Sequence, residues 1–230
     1  MKKPYVSIII PVYKPNKTLL DNIIKNLKNQ ETNFKFEVIK IAGNNGLANA
    51  YNQGIRKSKG EIIVTLHQDC VPGDTNWLAK MVLPFKNPNV VLATSKVLEN
   101  ESLREYFPYP PDGKSTAYRK NVLIKVRGFD EKTYFTGGED VDIYLKMIHY
   151  GKLKNVNTFV EHVHKGYLGN KTIEKIRQNA SINGSLFRIW GVRNPKWWKA
   201  LIMCFRYPRE YGANFLRAFI NKKQSYRRND

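Results

Sequence analysis

The 230-residue sequence predicts an α/β protein in which a mixed, mostly parallel sheet is flanked by helices, and three observations carry that prediction. Apolar, β-branched runs recur at YVSIIIPV (5–12), FEVIKIA (36–42) and EIIVTLH (61–67), each bounded by turn-forming residues. Helical patterns separate them, which gives the β-α-β-α-β alternation of a wound sheet. From about residue 170 the pattern turns helical and basic with no further strand, so a helical extension follows the sheet.

Taken in order, the first strand is closed by Pro11 and leads into the loop YKPNK. Asn16 or Thr18 can cap a helix over 18–30, whose Leu19, Leu20, Ile23, Ile24 and Leu27 share one stripe. After the second strand, GNNGLANAYNQGIRKSKG is helical over about 47–58 and stops at Gly60. TNWLAKMVLPF (75–85) reads as a helix and VVLATSKVL (90–98) as a strand. Segment 101–117, with its prolines and PPDG, reads as an irregular loop. Two short helices separated by a turn-rich patch fill 119–151, and LKNVNTFVEHVH (153–164) is a strand ending in two histidines.

With 42% hydrophobic and 12% aromatic residues the chain can build a core. Cys70 and Cys204 lie far apart and form neither a disulfide framework nor a metal spacing. No run approaches the ~20 apolar residues of a spanning helix, and MKKPYVSIIIPVYKP lacks a signal-peptide pattern. These features point to a cytoplasmic protein, peripheral at a membrane if it meets one. The net charge is +20, and from Lys165 onward 15 Lys+Arg stand against 3 Asp+Glu, a local balance of +12. An anionic partner fits that balance, and a solvated basic face is the alternative.

Ligands of open α/β sheets gather beyond the carboxyl ends of strands, where Pro11–Tyr13, Ala42–Asn45 and His67–Asp69 all lie. His67 and Asp69 are two apart and share a face, so they could hold a divalent metal, or form a capped loop with a satisfied histidine. GGEDVDIYLKM places Glu139, Asp140 and Asp142 within four residues. Such carboxylates raise one another's pKa, although an acidic helix N-terminus is also favoured by the macrodipole. His162 and His164 again alternate onto one face of a strand end.

The order SIIIPVYKP, FEVIKI, NNGLANAYNQGIRKSKGEIIVTLHQD, RKNVLIKVRGFDE, GGEDVDIYLKMIHYG and EHVH resembles the family 2 inverting glycosyltransferases, over roughly residues 4–166. The resemblance implies the GT-A fold, with a catalytic domain over 1–168 and a basic, aromatic-rich helical extension over 169–230. It implies transfer of a hexosyl or deoxyhexosyl unit from a nucleotide-sugar donor to a glycan or lipid-linked acceptor, with inversion and a divalent metal, Mn²⁺ or Mg²⁺.

The third strand of the family ends in a short acidic motif, often Asp-X-Asp, and here His67-Gln68-Asp69 stands at that place. Asp69 is thereby the metal ligand, with His164 or His162 completing the site. Losing one carboxylate makes hard Mg²⁺ a poorer fit and leaves Mn²⁺. The Glu-Asp pair of the family supplies the base, which assigns Asp140 as base and Glu139 as its orienting partner, with Asp142 bracing the helix. Pro11, Tyr13, Asn44, Asn45, Asn49, Asn52, His67, Gln68 and Lys165 fall at donor-binding places, and Tyr118, Arg119 and Gly138 at acceptor-binding ones. The sequence departs from the family after its second strand: the aspartate that grips the nucleoside is missing, and Asn44 or Asn45 substitutes with amide contacts.

Trp190, Trp197, Trp198, Phe205, Tyr207, Phe215 and Phe219 alternate with Arg and Lys in the extension, which suits docking on an anionic membrane through residues 170–230, the alternative being that the aromatics simply pack against the catalytic domain. No helix-turn-helix spacing, zinc pair or aromatic sheet motif is visible, and no nucleic-acid partner is expected. Two other readings rest on single features. The +20 charge motivates a nucleic-acid-binding α/β protein, and His67 in place of aspartate motivates a domain that binds sugar nucleotide without turnover.

Overall fold

A computed structural model describes residues 4–99, 102–104, 111–163, 173–194 and 197–221. Strands β1 (Val6–Val12), β2 (Phe36–Ala42) and β3 (Ile62–Leu66) pair in parallel, with β1 between the other two. Val6 lies opposite both Phe36 and Ile62, so the carboxyl ends of the three strands finish together. Helices α1 (Lys17–Lys28) and α2 (Leu47–Lys57) make the crossovers. Asn16 caps α1, its side-chain oxygen accepting the Leu19 N–H at 3.1 Å.

The strand period of two assigns each residue to a face. Ile8, Ile10, Val64 and Leu66 join Leu20, Ile23 and Leu27 of α1 in one buried layer, together with Trp77 and Leu78. Ile9 and Ile63 face the other way, onto Tyr51 and Ile55 of α2 and onto Ile143 and Met147. Both layers are needed because a sheet enclosed by helices is buried on each face. Each fully buried side chain of this size stabilises the fold by about 1.5–3 kcal/mol.

The sheet continues through β4 (Cys70–Pro72), β5 (Val90–Glu99), β6 (Ser102–Arg104), β7 (Ser115–Arg119) and β8 (Lys152–His162), in the order β2-β1-β3-β7-β5-β8-β4, with β6 beside β5. Here the reading of 101–117 as loop is corrected, since that segment holds β6 and the start of β7. Strand β7 lies antiparallel between β3 and β5. It carries no apolar run because its neighbours offer hydroxyls: Ser95 Oγ donates to Ser115 Oγ at 2.7 Å, and the Thr94 and Thr116 hydroxyls meet at 3.3 Å. The helix expected over 75–85 is shorter, α3 (Trp77–Val82) followed by a 3-10 turn (Leu83–Lys86), because Pro84 brings no N–H to continue it.

Helices α4 (Lys120–Lys125) and α5 (Glu139–Met147) follow β7. Beyond β8 come α6 (Ile173–Trp190), α7 (Trp197–Arg206), a π-helical turn (Pro208–Gly212) and α8 (Ala213–Ile220). They gather around their own small core of Ile176, Ala180, Ala200, Tyr211 and Phe215. Among the described residues no helix is long and apolar enough to cross a membrane.

Candidate active site

The carboxyl ends of β1, β2 and β3 open into a cleft of about 660 Å³ lined by Pro11, Tyr13, Asn44, Asn45, His67, Gln68 and Asp69. Two of its walls are tied by one side chain. The Tyr13 N–H donates to Gln68 Oε1 at 2.9 Å, and Gln68 Nε2 donates to the Tyr13 carbonyl at 2.7 Å. Gln68, expected to meet the donor, therefore spends its amide holding the β1 and β3 ends in register. Asn44 and Asn45 are exposed on the rim. Gly46 follows them at φ +91°, and a Cβ there would come within 2.4 Å of the Phe135 carbonyl. That close approach lets the Leu47 N–H donate to the same carbonyl at 2.8 Å, seating the start of α2 against the Phe135–Thr136 wall.

At the far corner, β4 and β8 place Cys70 opposite His162. Asp69 Oδ2 lies 3.4 Å from His162 Nε2, whose ring Nδ1 meets Glu99 Oε1 at 2.9 Å. Burial works against a charged His162, but the hydrogen bonds to Asp69 and Glu99 outweigh it and hold its pKa above the ordinary value. Burial likewise opposes the Asp69 carboxylate, yet the His162 hydrogen bond and the nearby His67 hold it down, at about 2. Burial pushes the His67 pKa below its ordinary value, and its Nε2 has no hydrogen-bond partner among the described residues.

Asp69, Cys70 and His162 offer ligand atoms all within 4.8 Å of one another. The ionised carboxylate suits a hard ion such as Mn²⁺, which accepts a neighbouring imidazole more readily than Mg²⁺ does. Burial pushes the Cys70 thiol well up, so that sulfur stays protonated and is the poorest donor of the three.

Just after the Phe135–Thr136 wall, α5 opens at Gly138, which sits at φ +91° and frees the chain to turn into the helix. Glu139 is buried and its Oε2 has no hydrogen-bond partner among the described residues. Burial, reinforced by Asp140, raises Glu139 to about 8, and burial with Asp112 raises Asp140 to about 6. Two adjacent carboxylates pushed apart in this way take different protonation states near neutrality.

Sequence reasoning missed Asp112 and Lys114, which form an ion pair between the two corners. A Cβ on Gly113, between them, would lie 3.6 Å from Asp140 Cβ, and the Lys114 carbonyl accepts the His67 N–H at 3.2 Å. Burial opposes the Asp112 charge, but Lys114 and His67 more than compensate and lower its pKa. The aspartate of PPDG was the available signal. It was hidden because β7 brings the segment to the site from 45 residues beyond His67.

Several expected residues serve the fold elsewhere. Asn52 is reciprocally bonded to the Phe129 main chain at 2.8 and 3.0 Å, and Asn49 Nδ2 donates to Glu131 Oε2 at 2.7 Å. Tyr118 is fully buried in the core. Arg119 pairs with Ile62, at the amino end of β3, and its guanidinium donates to the carbonyls of Val90, Phe85 and Asn87. Antiparallel β7 carries the main chain of Tyr118 and Arg119 toward the amino end of β3, away from the strand ends that form the cleft. His164 and Lys165 lie outside the described residues.

The residues 21–138, about half of the chain, match the family described as Glycosyl transferase family 2. The chain belongs to glycosyl transferase family 2. This family 2 chain is similar in fold to mannosyltransferase PcManGT from Pyrobaculum calidifontis, solved in complex with GDP-Man and Mn²⁺, with a TM-score of 0.64 at 14% identity over 95% of this chain and 76% of that one. It is also similar to GalNAc-T7, solved with UDP, GalNAc and Mn²⁺, with a TM-score of 0.59 at 14% identity over 81% of this chain. It spans about half (51%) of the GalNAc-T7 chain. No curated protein sequence matches it. The fold is GT-A, as the resemblance implied.

The extension touches the α5 turn of the transferase directly. Trp190 Nε1 donates to Asp142 Oδ1 at 2.9 Å, Lys146 pairs with the other oxygen, and Ile182 packs over Gly137 and Gly138. A hydrogen bond to a charged acceptor is worth about 1.5–3 kcal/mol. Trp190→Phe keeps an aromatic ring, though a smaller one, and removes the N–H, so the melting temperature should fall by roughly 3–10 °C. Thermal unfolding followed by circular dichroism measures it, and an unchanged midpoint would show that α6 is held by packing alone.

Proposed function

We propose that this glycosyltransferase moves a hexosyl or deoxyhexosyl unit from a nucleotide-diphosphate donor to a hydroxyl of a glycan or lipid-linked acceptor, with inversion and metal assistance. In this reading residues 1–168 are the catalytic domain and 169–230 an extension. The observation that supports it best is the Asp112–Lys114 segment, whose Lys114 carbonyl accepts the His67 N–H beside Asp69 while its Gly113 approaches Asp140, so that one segment meets both carboxylate sites.

Asp140, ionised near neutrality, accepts the proton of the acceptor hydroxyl as its oxygen attacks the anomeric carbon. Attack comes from the face opposite the diphosphate, the bond to the phosphate oxygen breaks, and its electron pair leaves with the nucleotide. Glu139, pushed up to about 8, is protonated at the same pH and can donate a hydrogen bond that orients acceptor or base. Asp69 and His162 would hold a divalent ion, which would supply positive charge against the leaving diphosphate. In this reading Asn44 and Asn45, exposed at the rim of the cleft, supply amide contacts to the nucleoside.

A panel of nucleotide sugars, each with and without Mn²⁺, tests the reading by thermal shift and donor hydrolysis. One nucleotide sugar should raise the melting temperature only when the metal is present, and should be hydrolysed slowly without acceptor. Stabilisation by single-stranded or duplex nucleic acid, with none by any nucleotide sugar, would replace this function with the nucleic-acid one.

A further inference from the structure

Among the described residues, the last two helices of the extension, α7 and α8, are short and carry apolar side chains on both faces. Helix α7, WWKALIMCFR, turns Ala200 into the small core and packs Met203 and Cys204 against it. Its opposite face carries Trp198, Ile202 and Phe205, spaced at i, i+4 and i+7 and so aligned along one stripe. Those side chains are 47%, 55% and 88% exposed. Helix α8 repeats the arrangement, with Phe215 and Ala218 inward and Leu216, Phe219 and Ile220 outward. A helix hydrophobic all round is ordinarily buried, so these outer stripes call for an occupant.

We infer that the outer stripe of α7, continued by that of α8, is a docking face for an anionic lipid bilayer, which it enters only to the depth of the headgroup and acyl boundary. Charge complementarity selects the partner. The only ionisable side chains of α7 are Lys199, Arg206 and the thiol of Cys204; Arg209 and Arg217 follow in the turn and in α8. Among the described residues from Ile173 to Asn221 the acidic side chains are Glu174 and Glu210 alone. Apolar stripes rimmed by Lys and Arg are the pattern of helices that lie in the membrane interface. At 10 residues α7 is about 15 Å long, half the hydrocarbon thickness, so it lies on the bilayer and does not cross it. A second copy of the chain fits poorly, because each copy brings a net charge of +20 and its own basic rim. Nucleic acid fits the cations but not Ile202, Leu216 and Ile220, which offer no ring on which a base can stack.

Of the two adjacent tryptophans only Trp198 is on the exposed stripe, while Trp197 is half-buried. The anchor is therefore Trp198 with Ile202 and Phe205. The inference needs no transferase activity, so it stands or falls apart from the function proposed above.

The test is sedimentation of the full chain with vesicles of phosphatidylcholine, alone or with about one third phosphatidylglycerol, at about 0.1 M and about 0.5 M salt. The chain should bind the anionic vesicles at low salt, bind them less at high salt, and leave neutral vesicles in the pellet without it. The variant Trp198→Ala/Ile202→Ser/Phe205→Ser changes exposed side chains only, and should lower the vesicle partition at least about tenfold. Lys199→Glu/Arg206→Glu/Arg209→Glu should abolish the preference for anionic vesicles while circular dichroism stays unchanged. Any of four results overturns the inference: equal binding to neutral vesicles, no binding to either, wild-type binding by the apolar variant, or a dimer in sedimentation velocity that the apolar variant dissociates.

Discussion

Asp140→Asn is expected to leave donor binding intact and to lower sugar transfer about 10²–10⁴-fold, the usual worth of a positioned general base. The asparagine keeps the side chain's shape. One amide oxygen can still accept the Val141 N–H, which Asp140 Oδ1 accepts at 2.8 Å, so the first turn of α5 should persist. What is lost is the capacity to take a proton. The pH profile gives an independent check. Burial and Asp112 raise Asp140 to about 6, and a base works only when ionised, so wild-type transfer should climb as pH rises through about 6 and then level. Glu139 gives up its proton only near 8, so the plateau spans neutrality, and above it a second charge forms beside the base. In the variant the climb near 6 should vanish along with the rate. Initial rates from pH 5 to 9, with calorimetry of nucleotide diphosphate at pH 7, provide both readouts. A loss of less than tenfold would move the base to another carboxylate, with Glu139 the nearest.

What was legible in the sequence follows from how each residue reaches the site. Strands β1, β2 and β3 announce themselves because Ile8 to Ile10, Val38, Ile39 and Ile41, and Ile62 to Leu66 are β-branched or apolar and the runs end in turn residues. Their parallel register then fixes where the loops after them must meet, so His67, Asp69, Tyr13 and Asn44 could be grouped from local pattern alone. The Glu139–Asp140 pair was legible for the same reason, as charge concentrated at the start of an apolar-striped helix.

Strand β7 was hidden. Ser115, Thr116 and Ala117 satisfy one another and their neighbours by hydroxyl hydrogen bonds and small size, which leaves no hydrophobic period to read. With β7 hidden, Asp112 and Lys114 had no reason to approach His67, and Arg119 had no reason to be sent to the opposite end of the sheet. Asn49 and Asn52 illustrate a different limit. An amide on a helix facing the cleft reads as a ligand until a turn such as Phe129–Glu131 is seen to use it.

Asp69→Ala should abolish metal-dependent binding of nucleotide diphosphate while leaving the fold standing. Among Asp69, Cys70 and His162 only the Asp69 carboxylate is a hard donor, and its pKa near 2 keeps it charged at any working pH. Without it an ion would face an imidazole that Asp69 no longer orients and a thiol that burial keeps protonated. An interaction worth several kcal/mol disappears, and each 1.4 kcal/mol is tenfold, so affinity in Mn²⁺ should drop on the order of 10²-fold or more. The loop itself has main-chain supports: the Asp69 carbonyl accepts the Val163 N–H at 2.9 Å and the His67 carbonyl accepts the Cys70 N–H at 3.1 Å. Gln68 adds its double tie to Tyr13, so truncating the Asp69 side chain touches none of the bonds that place the strand end. Calorimetry of nucleotide diphosphate with Mn²⁺ and with a chelator separates metal-dependent from metal-independent binding. Loss of the first alone is the expected result. Equal affinity in the variant and the wild type, with Mn²⁺ present, would take Asp69 out of the metal site and leave His67 and His162 as the groups that meet the diphosphate.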